Sequence, residues 1–100
     1  MLLSEDLLRK LKEACQMAGP NTRPGPTFRH PNGQLEIGWK SDNEVIVTLW
    51  RGIGSRRGLS NAFVAAAERL QGWHVSSEDR KVSNGTWVIT YERDEPWPTK

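Results

Sequence analysis

Leu35, Ile37 and Trp39 alternate with Glu36, Gly38 and Lys40, the two-residue period of a strand with one buried face. Val45-Ile46-Val47-Thr48-Leu49-Trp50 is apolar on both faces and predicts a central strand. Ser41-Asp42-Asn43 supplies the turn between them. Ahead of this pair, Thr27 to His30 predicts a short strand, which the flanking prolines confine to a sheet edge, and Pro31-Asn32-Gly33 turns it into the next. The result is a meander of three strands. A three-to-four-residue period replaces the alternation on either side. Leu8, Leu11, Cys15 and Ala18 form one helical stripe, opened by Ser4 as N-cap with Leu3 stapled onto Leu8 and closed by Gly19-Pro20. Leu59, Phe63, Ala66, Ala67 and Leu70 form the second stripe, predicting a helix from Leu59 or Ser60 to Gln71, with Ser60 as its cap and Gly72 as its stop. Trp73-His74-Val75 opens a further strand, and Trp87 to Tyr91 returns from it through Asn84-Gly85, a dipeptide suited to the positive φ angles of a tight hairpin. With that turn, Val82, Arg80 and Glu78 fall opposite Trp87, Ile89 and Tyr91. The polar arm from Ser76 to Lys81 reads as an edge or a protruding finger. Residues 21–26 read as an extended connector and 94–100 as a frayed tail. The prediction is a single small α+β domain in the order α-β-β-β-α-β-β, an antiparallel sheet with helices packed on it.

Composition narrows the class without naming a function. One hundred residues make one domain. Fourteen basic against twelve acidic residues give a formal charge of +2, too mild to demand a nucleic-acid partner. The single cysteine, Cys15, lies on the apolar stripe of the first helix and is expected to be a buried, inert thiol, with no disulfide and no thiolate metal site. Met1 to Asp6 lacks the basic and apolar regions of a signal peptide, and no apolar run reaches the roughly 20 residues of a membrane span. The expectation is a cytoplasmic protein with no membrane partner and no cofactor. His30 and His74 lack metal-ligand spacing.

Charge is concentrated in Arg51-Gly52-Ile53-Gly54-Ser55-Arg56-Arg57-Gly58, with no acidic residue between Glu44 and Glu68. A mobile, basic, glycine-rich loop at the start of a helix attracts anions through its guanidinium groups, its backbone N–H groups and the helix dipole. The plainer reading is a solvated loop whose glycines make turns. Its glycine spacing is not the dinucleotide fingerprint, and no Gly-Lys-Ser/Thr follows, so nucleotide hydrolysis is excluded. Trp87, Ile89 and Tyr91 share one strand face, and the amphipathic surface they make with the polar arm suits a partner, unless a helix covers it. The candidate interface is therefore Arg51, Gly52, Gly54, Ser55, Arg56, Arg57, Trp87 and Tyr91.

Gly54-Ser55-Arg56-Arg57 followed by Ala65-Ala66-Ala67, after a helix and three strands, resembles the second-helix region of double-stranded RNA-binding domains. The resemblance implies that the basic pair meets phosphates. The family's further lysine falls at Ser60 here, its interspersed alanine at Leu59, and the last hairpin is additional to its pattern. Phe28-Arg29-His30-Pro31-Asn32-Gly33 resembles a segment of the HicA messenger-RNA-cleaving toxins, a family with a related fold. Its catalytic histidine would stand at Gly25.

The leading expectation is a non-catalytic accessory or inhibitor protein that binds a larger protein through the basic loop and exposed aromatics. Small phage or mobile-element proteins that block a host nucleic-acid defence have this character by analogy. The alternative is a nucleic-acid-binding module using the same loop for phosphate contact, and a lesser one is a small RNase toxin. No base–nucleophile pair is readable, so no enzymatic activity is expected.

Overall fold

The alternating strands do assemble, and side chains of one parity meet a helical layer. The computed structural model describes residues 3–51, 53, 55–80 and 85–97. Helix α1 (Leu3–Met17) precedes strands β1 (Gly25–Arg29), β2 (Leu35–Ser41) and β3 (Glu44–Leu49); helix α2 (Arg56–Ala66) follows and runs into one 3₁₀ turn (Ala67–Arg69); strands β4 (Trp73–Asp79) and β5 (Trp87–Arg93) close the order. The five strands form one sheet in the order β1-β2-β3-β5-β4, antiparallel at every step. The predicted α+β architecture and element order are those observed, with β3 at the centre. Because β5 inserts between β3 and β4, α2 is a crossover rather than a step to the adjacent strand. Among the described residues no helix is long and apolar enough to cross a membrane.

The cross-strand row Leu35, Leu49, Trp87 and the rows Ile37, Val47, Ile89 and Trp39, Val45, Tyr91 define the covered face. All but Trp39 and Trp87 of these are fully buried. Both helices lie on it. The Trp39 indole N–H donates to the carbonyl of Ala14 on α1 (3.1 Å), and the Tyr91 hydroxyl donates to the carbonyl of Phe63 on α2 (2.7 Å). These two bonds satisfy polar groups that burial would otherwise leave unpaired. Leu7, Leu11, Ala14, Cys15 and Ala18 form the buried stripe of α1, so Leu7 rather than Leu8 anchors its first turn. Ser4 and Leu3, the expected cap and staple, have side chains outside the described residues.

Several boundaries differ from expectation: β1 takes in Gly25 and Pro26 from the expected connector and ends at Arg29, and the second helix and its 3₁₀ turn end at Arg69 rather than Gln71. Helix α2 begins at Arg56, with Ser55 as its N-cap: the Ser55 Oγ accepts the Gly58 N–H at 3.1 Å. Ser60 is no cap but is fully buried inside the helix, its hydroxyl 3.4 Å from the Glu78 carboxylate. In the β4–β5 pair Glu78 lies opposite Ile89 and Val75 opposite Tyr91, with an irregularity between Val75 and Ser77, so the predicted register is displaced. Asn84 lies outside the described residues. The segment after β5, expected to fray, is docked as far as Trp97. The Asp94 N–H donates to Gly72 (2.8 Å), the Trp97 N–H to the Asn43 side chain (2.7 Å), and the Trp97 ring lies 5.0 Å from the Arg93 guanidinium.

Candidate basic interface

The pairing of Leu35 with Leu49 and of Leu49 with Trp87 brings three connections to one end of the sheet. They are the β1–β2 turn, the β3–α2 loop and the described residues between β4 and β5, namely Arg80, Gly85 and Thr86. The Trp50 N–H donates to Gln34 (2.9 Å), tying the first two together. Ile53, between two glycines, is buried in the core, so the β3–α2 loop is pinned at its middle rather than free along its length.

The arginines of this loop have different surroundings. Arg56 is half-buried. Its Nη1 donates to the Gly85 carbonyl, and its guanidinium lies 5.0 Å from the Trp87 ring. Arg80 lies 5.5 Å from the same ring and is fixed by Glu78 (2.8 Å) and Asn61 (2.6 Å). Arg51 is exposed and rests against Gly85, where a Cβ would stand 3.2 Å from Nη2 and 3.3 Å from Nε. Gly85 also holds φ at +80°, which side-chain-bearing residues rarely adopt. Arg57 is exposed on the first turn of α2. Among the described residues neither Arg51 nor Arg57 forms an ion pair. Gly52 and Gly54 lie outside the described residues.

The first turn of α2 holds two arginines and no acid. Cations there oppose the positive end of the helix dipole, typically by about 0.3–1 kcal/mol each. An anion placed at this end relieves that conflict. His30 stands in the adjoining turn, its Nδ1 accepting the Asn32 N–H at 3.3 Å. The position three residues before Phe28 is Gly25, at the start of β1.

Tyr91 does not belong to a surface: it is fully buried under α2, because it sits opposite Val45 in the sheet interior. Trp87 is half-buried beneath two guanidinium groups. Gly85 and Arg80, read from the sequence as a turn residue and a polar-arm residue, were not among the candidate interface residues, yet they shape the cluster. The Asn-Gly dipeptide marked the turn, but nothing local marked the loop it would face. Among the described residues no group of three or more His, Cys, Asp or Glu side chains is placed to hold a metal ion. Cys15 is buried, and burial pushes its thiol from 9.0 up to about 12, with nearby Arg93 pulling weakly the other way. No family model, curated protein or solved structure matches the chain.

Proposed function

We propose that this protein is a non-catalytic binding module whose basic end rests against the phosphate backbone of a nucleic acid. One observation carries the reading: at that end the two aromatics expected at the surface, Trp87 and Tyr91, are capped or buried, while two arginines are exposed, beside the half-buried Trp50 and the exposed Asp79. Tyr91 is buried and Trp87 lies beneath Arg56 and Arg80, whereas Arg51 and Arg57 are exposed. Such a surface suits phosphate contact through charge-assisted hydrogen bonds, each worth about 1.5–3 kcal/mol. The reading also agrees with the resemblance of the Gly54 to Arg57 segment to a phosphate-contacting helix start.

A second reading, an inhibitor or accessory protein docking this end on an acidic protein surface, draws on the small number of unpaired cations. Two exposed arginines on a domain of net charge +2 release few counterions. A protein partner supplies further contacts that a bare backbone lacks.

The direct test is fluorescence anisotropy with labelled duplex and single-stranded RNA and DNA at low salt, comparing the native chain with Arg51→Glu/Arg57→Glu. Binding by the native chain and its loss in the variant is the expected outcome. Equal binding by both removes this end from the interaction. The labelled RNA should also be recovered uncut. Cleavage that disappears in His30→Ala would replace the proposal with a nuclease.

A further inference from the structure

At the opposite end of α1 a second set of cations converges, independent of the basic end described above. A cleft of about 530 Å³ opens between the last turns of α1, the 3₁₀ turn and the β5 terminus. Its lining includes Lys12, Arg69, Arg93, Gln16, Gln71 and Trp73, and no Asp or Glu. That volume falls within the range of small-molecule sites, about 300–1,000 Å³.

Arg93 is the fixed member. Its guanidinium lies 4.7 Å from the Trp73 ring and 5.0 Å from that of Trp97. Its Nη2 donates to the Ala18 carbonyl at 2.7 Å, while its Nε is buried with no protein partner. Buried polar groups left without partners commonly mark an absent water or ion. Among the described residues Lys12 and Arg69 form no ion pair. Of the neighbouring acids, Glu13 pairs with Lys10 at 3.9 Å and Asp94 with His74 at 2.5 Å, while Asp94 and Glu95 line an adjoining cleft that shares Arg93, Trp73 and Gln71. Glu68 lines other clefts, one of them the groove between α1 and α2 that Lys12 and Arg69 also border. The Arg93 Nη2 also donates to the Asp42 carbonyl at 3.4 Å.

We infer that this cleft binds a small phosphomonoester, its phosphate facing Lys12, Arg69 and Arg93. Three like charges facing one volume repel one another and favour a counter-anion. Three separate donors match the three terminal oxygens of a phosphomonoester better than the two of a carboxylate. The glutamine amides supply neutral donors, and the cleft exceeds what phosphate alone would fill, leaving room for a polar organic body of sugar size.

The test is a ¹⁵N-edited NMR titration, supported by calorimetry, with inorganic phosphate and ribose 5-phosphate as separate probes. It is run in an Arg51→Gln/Arg57→Gln background, so that anion binding at the other end does not contribute. Saturable shifts at Gln16, Gln71 and the Trp73 indole are expected. Tighter binding of ribose 5-phosphate identifies an ester ligand, and equal affinity identifies the phosphate group alone; both support the site. Lys12→Gln/Arg69→Gln, which leaves Arg93 and its stack intact, should retain the native melting temperature and weaken binding by about tenfold or more. Absence of saturable shifts with either probe, or undiminished binding by the double variant, overturns the inference.

Discussion

Arg56 and Arg57 are adjacent, yet their substitution should have unlike consequences. Arg56 bonds the Gly85 carbonyl and stacks on Trp87, joining α2 to β5. Arg56→Ala should therefore destabilise the fold by about 1–2 kcal/mol, combining a lost charge-assisted hydrogen bond with a partly desolvated cation–π contact. Arg57→Ala, on the exposed face, should stay within about 0.5 kcal/mol of the native chain. Urea unfolding of the two variants separates them, and equal midpoints would contradict the packing described. Alkaline titration gives a second check. Burial raises the Cys15 thiol from 9.0 to about 12 and raises the Tyr91 phenol above its ordinary 10.0. Both groups are neutral when protonated, and the unfolded chain gives up their protons at lower pH than the folded one. Their contribution is thus complete below pH 9 and lost as pH rises from there through the folded-state values. Thermal melts from pH 8 to 11 should show a falling midpoint, less steep in Cys15→Ala, and the native thiol should react slowly with a disulfide reagent at pH 8. A flat profile over that range would refute the burial argument.

At the scale of elements, periodicity was informative and long-range pairing was not. The strand alternation at Leu35–Trp39 and the apolar run at Val45–Trp50 located β2 and the central β3, because a two-residue period is a local property. The start of α2 was less legible: Arg56-Arg57-Gly58 places cations against the dipole and a poor helix former in the first turn, so the apolar stripe alone suggested a later start. The interface residues were legible as charges. Which of them are consumed internally depends on Gly85 and Trp87, some 29 or more positions from Arg56. The docked tail is the same kind of case, since Trp97 reaches Asn43, 54 positions away, by a contact with no local pattern. Trp97→Ala should cost about 0.5–2 kcal/mol through loss of its stack on Arg93, measurable by chemical unfolding. Gly38→Ala should be worse, because its Cβ would stand 2.8 Å from the Gly25 carbonyl oxygen and 3.2 Å from the Pro26 Cα, both backbone atoms of β1. Separation of β1 from β2 at that position, seen as faster amide exchange in both strands, is expected; native exchange rates would show that β1 yields without cost.

Across the whole molecule charge is unevenly distributed along the sheet. Arg51, Arg56, Arg57 and Arg80 gather where β3 ends. At the other end Glu44 lies opposite Glu92 and the charges are mixed, with Lys40 3.9 Å from Glu44 and Arg93 in the cationic cleft described above. The net charge of +2 therefore understates the local field at the basic end and overstates attraction at a distance. Salt dependence measures how many of these cations reach a polyanion. If only Arg51 and Arg57 contact phosphates of duplex DNA, log K should fall against log salt with a slope of about −1.8, from roughly −0.9 per contact. If Arg56 and Arg80 leave Trp87 to join them, the slope steepens toward about −3.6, and the freed indole should change its fluorescence. The first value with unchanged fluorescence is expected, because both stacked arginines are already held by hydrogen bonds within the fold. Arg57→Gln should then reduce the slope by about one contact, whereas a neutral substitution at Arg9, which already pairs with Asp6, should leave it unaltered. A slope near zero would mean that no phosphate is neutralised at this end, and would overturn the nucleic-acid reading.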